Sequence, residues 1–170
     1  MHILLVDDDP LLPDLIQKFL EREEEIQIDA TRSGSEALDK IARNHYDAVV
    51  VDYELPGMNG IDLLRMIKHR GDDVPIIVFT GKSREEVAIR ALNYGADYYL
   101  QKKGDPRLNF LELFYMIREA VRRHDANLEL RENERRFRES LEKAHLISFQ
   151  IDRDLKITFC NDFFLGITGQ

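Results

Sequence analysis

The 170-residue chain has one cysteine, no tryptophan, five prolines and nine glycines. Cys160 alone cannot close an internal disulfide, which fits a reducing compartment. No apolar run approaches the roughly 18–20 residues of a membrane span, and the amino terminus lacks the pattern of a signal peptide. Positive charge is not in excess either: 24 Lys and Arg stand against 32 Asp and Glu, a formal net charge of −8. The deficit holds along the whole chain, with 7 basic and 9 acidic residues in 125–170 and 17 and 23 before them. A general nucleic-acid binder needs a basic face to displace counterions, so that class is excluded. These absences predict an acidic, soluble, cytoplasmic protein that contacts neither nucleic acid nor membrane. A hydrophobic share of 44% supports a real core, and the length allows one domain with an attachment or two small ones.

Up to about residue 124, short β-branched runs alternate with amphipathic stretches. His2–Val6 is nearly continuous apolar, as a strand buried on both faces should be. Leu12, Leu15, Ile16, Phe19 and Leu20 then recur at helical spacing, opened by Pro10 or Pro13. Ile26–Thr31 alternates, and Ser33 with Glu36 reads as a capping box before Ala37, Leu38 and Ile41. The unit repeats: Ala48–Val51 to Asp52, a Pro56-Gly57 turn and a helix through Ile61, Leu64 and Ile67. It repeats again from Pro75–Phe79 to Thr80, with Ser83 and Glu86 capping a helix that ends near Gly95, before a fifth strand over Asp97–Gln101. Five such units predict an α/β fold, a doubly wound five-stranded parallel sheet with helices on both faces.

No glycine or proline interrupts Arg107–Phe164, so a long helix is expected over about 107–144. Phe110, Phe114, Ile117, Val121, His124 and Leu128 step by four and three residues: the first third of the helix is expected to face the sheet, and a short coiled coil is allowed near 117–128 until Arg131 and Arg135 break the seam. Glu132 with Arg136, and Glu134 with Arg138, are spaced to support that helix. Beyond it, Ile147, Phe149 and Ile151 alternate, Asp152-Arg-Asp154 offers a turn, and Leu155, Ile157 and Phe159 alternate again. That predicts a hairpin with an unpartnered apolar face, then a helix from about Asp162. Were nothing to follow residue 170, Phe149, Phe159, Phe163 and Phe164 would be expected to be disordered or to pack on another chain.

In a doubly wound sheet, the loops at the carboxyl ends of the strands form the binding crevice. Asp7, Asp8 and Asp9 follow strand one, Asp52 ends strand three, Thr80 follows strand four, and Lys102 and Lys103 follow strand five. Clustered carboxylates raise one another's pKa unless a cation joins them, and oxygen-only ligands in a hydrated pocket suit Mg²⁺. An ionised Asp beside such an ion can attack phosphorus, a lysine can pair with the transferred group and a threonine hydroxyl can donate to it. The histidines His2, His45 and His69 look scattered, without ligand spacing.

Four motifs, Ile3-Leu-Leu-Val-Asp-Asp-Asp-Pro10, Val51-Asp-Tyr-Glu-Leu-Pro-Gly-Met-Asn-Gly60, Phe79-Thr-Gly81 and Gly95-Ala-Asp-Tyr-Tyr-Leu-Gln-Lys102, together resemble the response-regulator receiver domain of two-component signalling. The resemblance covers residues 1–124 and implies a flavodoxin-like sheet of order 2-1-3-4-5. It implies that Asp52 is the phosphoacceptor, with a sensor histidine kinase as phosphodonor. It also implies Mg²⁺ held by Asp7, Asp8, Asp52 and the backbone carbonyl of Glu54, Asp8 binding it directly. Thr80 and Lys102 would engage the phosphoryl group, and Tyr99 would swing when Thr80 moves. The family usually follows its lysine with proline, often cis. Lys103 stands there, and since a non-proline cis bond costs roughly 2.5–4 kcal/mol, a trans loop is expected. By the same resemblance Glu54 and Lys82 flank the path of attacking water, where they would shield an acyl phosphate or be two solvated surface charges.

Phe137-Arg-Glu-Ser-Leu, Ile151-Asp-Arg-Asp-Leu-Lys-Ile-Thr-Phe, Asn161 and Thr168-Gly169 resemble the opening of a PAS domain. The expected organisation is a receiver over 1–124, a helical signalling linker over 125–144 and an incomplete α+β PAS-like segment over 145–170. A homodimer through the 107–144 helix is a further expectation. Two rival functions share these features: an unphosphorylated receiver serving as a dimerisation module, and a Mg²⁺-dependent phosphatase with Asp7 as nucleophile and Asp9 as second acid.

Overall fold

The computed structural model describes residues 1–20, 26–81, 85–143 and 149–168. Two compact units divide the chain, Met1–His124 and Asp125–Gln170.

In the first unit, strands β1 (His2–Val6), β2 (Gln27–Thr31) and β3 (Ala48–Val51) are joined by helices α1 (Leu12–Leu20) and α2 (Gly34–Arg43). Two short arms follow, β4 (Glu54–Leu55) and β5 (Met58–Asn59), which pair antiparallel around Gly57 at φ +80°. Then come α3 (Gly60–His69), β6 (Ile76–Thr80), α4 (Glu85–Asn93), β7 (Tyr98–Gln101) and α5 (Pro106–Lys143). The five long strands are parallel in the order β2-β1-β3-β6-β7. This is the expected 2-1-3-4-5 order once the two short arms are set aside, and it gives a flavodoxin-like fold with a long C-terminal helix.

Alternation along the strands builds two cores. Leu4, Val6, Val49, Val51, Ile76 and Val78 face α2, α3 and α4, packing on Leu38, Ile61, Leu64, Ile67 and Val87. Ile3, Leu5, Val50, Ile77 and Phe79 face α1 and α5, packing on Leu12, Ile16, Phe110, Leu113, Phe114 and Ile117. Each such side chain contributes about 1.5–3 kcal/mol, so the start of α5 is firmly seated on the sheet. That is the sheet-facing first third which the sequence predicts. Ile117 is only 1% exposed, used up inside its own unit, and of the seam residues Ile117, Val121, His124 and Leu128 only Leu128 is openly exposed.

Local signals mostly act as expected. Pro13, not Pro10, lies in the first turn of α1. Ser33 caps α2 by accepting from Glu36 N–H at 3.3 Å, but the reciprocal half of the capping box is replaced: the Glu36 carboxylate accepts from the buried Thr31 hydroxyl at 2.6 Å. Gly95, at φ +95°, ends α4, whose proposed Ser83 cap lies outside the described residues.

In the second unit, the remainder of α5 accompanies β8 (Phe149–Ile151), β9 (Ile157–Cys160) and α6 (Asp162–Thr168). Asp152 makes the turn by accepting from the N–H groups of Asp154 and Lys156, both at 2.9 Å. Leu155 belongs to that turn at φ +60°, not to the strand face where alternation put it, and Ile147 lies outside the described residues. The hairpin is covered only in part: Phe149 touches Phe164 with ring centroids 6.1 Å apart and Arg138 lies 5.4 Å over the Phe159 ring, while Phe149, Ile151 and Ile157 stay exposed, as the unpartnered apolar face predicts. Arg138 therefore serves a ring where an ion pair with Glu134 was expected, while Arg136–Glu132 closes at 2.5 Å. Asn161, fully buried, donates to Leu141 O at 2.9 Å and accepts from Phe164 N–H at the start of α6. Among the described residues no helix is long and apolar enough to cross a membrane.

Candidate functional site

The register levels the carboxyl ends of the strands. Val6 pairs with Val51, Val51 with Val78, and Thr80 with Gln101, so the residues just beyond them share one rim. Asp7 is held there by its N–H to Thr31 O at 3.0 Å, and Asp52 by its N–H to Val6 O at 2.8 Å. Both carboxylates are buried, whereas Asp8 is exposed. Asp7, Asp8 and Asp52 each offer an oxygen, and the three atoms lie within 4.8 Å of one another.

Lys102 reaches this cluster from the end of β7, and Lys103 is exposed. Their loop is trans. Lys102 Nζ lies 2.6 Å from Asp7 Oδ2 and 3.7 Å from Asp52 Oδ1, and 5.1 Å over the Phe79 ring. The ammonium is thus bonded to Asp7 while standing near Asp52. Asp7 Oδ1 accepts from Asp9 N–H at 3.0 Å, and Asp52 Oδ2 accepts from Glu54 N–H at 3.2 Å. Asp52 Oδ1 is buried with no hydrogen-bond partner among the described residues. Asp9 turns away: its carboxylate accepts from Leu11 N–H at 2.9 Å and opens α1, which speaks against a second catalytic acid at that position.

Burial is the main cause that pushes the Asp52 carboxyl above its ordinary value. The Lys102 ammonium and then the Thr80 hydroxyl oppose it, the Asp7 charge adds to it and the Glu54 N–H opposes it. Mutual repulsion of the carboxylates, which the sequence brings to mind first, is a lesser cause than desolvation. Tyr99 is half-buried against the α2–α4 core, and its phenol is raised by burial and by the Asp52 charge. Thr80 is 1% exposed. The structure therefore gathers Asp7, Asp8, Asp52, Thr80, Lys102 and Glu54 at one rim with Tyr99 beside it. Lys82 lies outside the described residues.

An oxygen-only set with a buried, unbonded carboxylate oxygen suits a hard divalent cation of the Mg²⁺ class. Comparison with known proteins bears on the same residues. The response regulator receiver domain family matches residues 3–110. This chain belongs to that family. Response regulator SaeR of Staphylococcus aureus is 33% identical over 128 residues, 75% of this chain and 55% of that protein. The chain thus spans about half the length of the curated relatives it matches. The receiver domain of the Francisella response regulator 1452 is 30% identical with a TM-score of 0.64, covering 72% of this chain and 97% of that one. A CheY-like receiver domain protein from Methanospirillum hungatei JF-1 is 29% identical with a TM-score of 0.65, covering 74% and 97%. A response regulator receiver is a module of two-component signalling.

Asn59 and Gly60 stand in a motif quoted from the sequence, but their roles in shaping the receiver rim escaped that reading. Asn59 caps α3 by accepting from Asp62 N–H at 2.9 Å, and Gly60 donates to Tyr53 O at 2.8 Å. A Cβ on Gly60 would sit 2.1 Å from the Asp52 carbonyl oxygen, a backbone atom that cannot step aside. Asn followed by Gly directly before an apolar helix was the available signal. The histidines are not all scattered: His2 Nδ1 meets His45 O at 3.1 Å, and His2 Nε2 stands 3.3 Å from Asp29. Tyr46 donates to the same Asp29 at 2.8 Å; burial, then that bond, pushes its phenol up to about 12. This cluster lies at the start of β1, away from the rim.

Proposed function

We propose that Asp52 accepts a phosphoryl group from a phosphohistidine on a partner histidine kinase, with Mg²⁺ held by Asp7, Asp8, Asp52 and the Glu54 carbonyl. The observation that carries this reading is the Asp52 carboxylate itself, buried, fixed on Oδ2 by Glu54 N–H and unbonded at Oδ1 beside Lys102. Receiver domains generally bind Mg²⁺ at such an acidic cluster, where it neutralises charge on the transferred group. Asp52 supplies the oxygen lone pair: the new O–P bond forms as the donor's N–P bond breaks, and the imidazole keeps that electron pair. Lys102 Nζ, 3.7 Å from Oδ1, then pairs with a phosphoryl oxygen, and the Thr80 hydroxyl donates to another. Tyr99, already within the field of Asp52, follows Thr80 inward, and the new charge biases a two-state rim.

Residues 1–124 then act as the receiver, 125–144 as a helical signalling linker and 145–170 as the start of a PAS-like module. The unbroken α5 and the Asn161-capped hairpin unit support this division. Intact mass after incubation with acetyl phosphate and Mg²⁺ tests the chemistry. A gain of one phosphoryl that needs both Mg²⁺ and Asp52 is expected; no gain by folded protein would leave the unphosphorylated dimerisation module as the better reading. Leu128, Leu130 and Phe137 are exposed along α5, which supports a homodimer through that helix. Light scattering should then show mass rising with concentration, and a constant monomer mass would remove the dimer.

A further inference from the structure

Two glycines far apart in sequence clear space for the same hairpin. Gly60 lets α3 press against the backbone of Asp52. Gly34, buried at the first position of α2, lies under the Met58 side chain: a Cβ there would stand 2.4 Å from Met58 Sδ, 2.9 Å from Cγ and 3.2 Å from Cε. Met58 belongs to β5 and pairs with Leu55 of β4, whose neighbour Glu54 holds Asp52 Oδ2. We propose that the Met58 side chain seated on Gly34 is the positioning contact that fixes the β4–β5 hairpin, and with it the Glu54 backbone, against α2.

The hairpin is held at its root by Gly60 N–H to Tyr53 O, and its tip at Pro56-Gly57 is exposed. With two residues in each arm, it has little rigidity of its own. Leu55 anchors the β4 arm in the core, and the Met58–Gly34 contact opposes a swing of the β5 arm away from α2. Because Cγ as well as Sδ would be struck, a methyl at position 34 cannot be relieved by the far end of the side chain alone. Met58 must leave the core cluster it packs on, or the hairpin must lift. Gly34 carries no positive φ, so alanine suits the helix backbone there, and the effect of the substitution isolates the contact.

The inference rests on the metal-dependent reading of the rim, so its test has one readout with Mg²⁺ and one without. In full-length protein, Gly34→Ala is expected to weaken Mg²⁺ binding about tenfold, as loss of an outer support to ligands typically does. In metal-free protein the Glu54 amide should exchange with solvent about tenfold faster. Met58→Ala removes the obstruction, so Gly34→Ala with Met58→Ala should return both readouts to those of Met58→Ala alone, a coupling that independent sites would not show. Unchanged Glu54 exchange in Gly34→Ala overturns the inference whatever the metal does. So does a double variant whose loss exceeds that of Met58→Ala alone. Failure of the wild type to bind Mg²⁺, with Glu54 exchange still responding, strikes the metal reading and leaves the positioning contact standing.

Discussion

Lys102→Ala is expected to be the most damaging single change at the rim. Its ammonium is bonded to Asp7, whose side chain is 2% exposed, and stands near Asp52, whose side chain is 9% exposed. Removing one partner of a buried pair costs about 3–5 kcal/mol, because the other charge is left desolvated and alone. The Lys102 side chain keeps 27% exposure, which places the loss near the lower end of that range. Thermal unfolding should show this as a fall of roughly 10 °C. Mg²⁺ should restore more stability to the variant than to the wild type, since a cation would then supply the missing charge. Phosphoryl uptake from acetyl phosphate should slow about a hundredfold, the scale for losing one preorganised electrostatic group. An unchanged melting temperature would mean that the short Lys102–Asp7 bond contributes nothing to the fold.

Asp52→Asn should do two things at once: abolish phosphoryl uptake and make the protein more stable at neutral pH. The folded-state pKa of Asp52 lies above its ordinary 3.8, chiefly through burial. A carboxyl shifted upward holds its proton more tightly folded than unfolded. Its favourable contribution is therefore full below about 3.8 and is lost as pH rises through the folded value. Asparagine has the same shape and cannot ionise, so the variant escapes that loss. Melting temperatures of variant and wild type should converge in acid and separate towards neutrality, the variant melting higher. A variant that melts lower at neutral pH would show that Lys102 and Thr80 outweigh the burial of Asp52. Added Mg²⁺ should narrow the gap by stabilising the wild type.

Much of this site was legible in the sequence because strand ends are easy to find. An apolar run of four or five residues has one exit, and the alternating units put all the exits on one rim. That is how Asp7, Asp52, Thr80 and Lys102 could be placed together without coordinates. Pairing within the rim was less legible. Spacing brings Lys102 to the site but does not tell that it bonds Asp7 more closely than Asp52, because that depends on the length of one side chain against two buried acceptors. The 107–144 helix was legible where it meets the sheet: its first third was expected there, and Phe110, Phe114 and Ile117 are buried against the strands. Where that packing stops was less legible, because one period serves both a sheet and a coiled coil, and only burial separates the two. Close approaches were the least legible. Gly34 and Gly60 carried no role of their own in the sequence, and what makes each necessary is a partner distant in space or a carbonyl behind it. Leu155 was placed on a strand by alternation, but the Asp152 turn took it instead.

The seat of α3 also bears on how the protein ages. Asn-Gly is the dipeptide most prone to deamidate, because glycine leaves its own backbone nitrogen free to attack the neighbouring amide carbon and close a succinimide. Here Gly60 N–H is committed to Tyr53 O, while the Asn59 amide is tied at both ends to Asp62. The bonds that cap the helix beside Asp52 therefore also withhold both partners of that ring closure. Asn59 is expected to stay intact in the folded protein, so that the clock of chemical decay at this position runs in the unfolded chain.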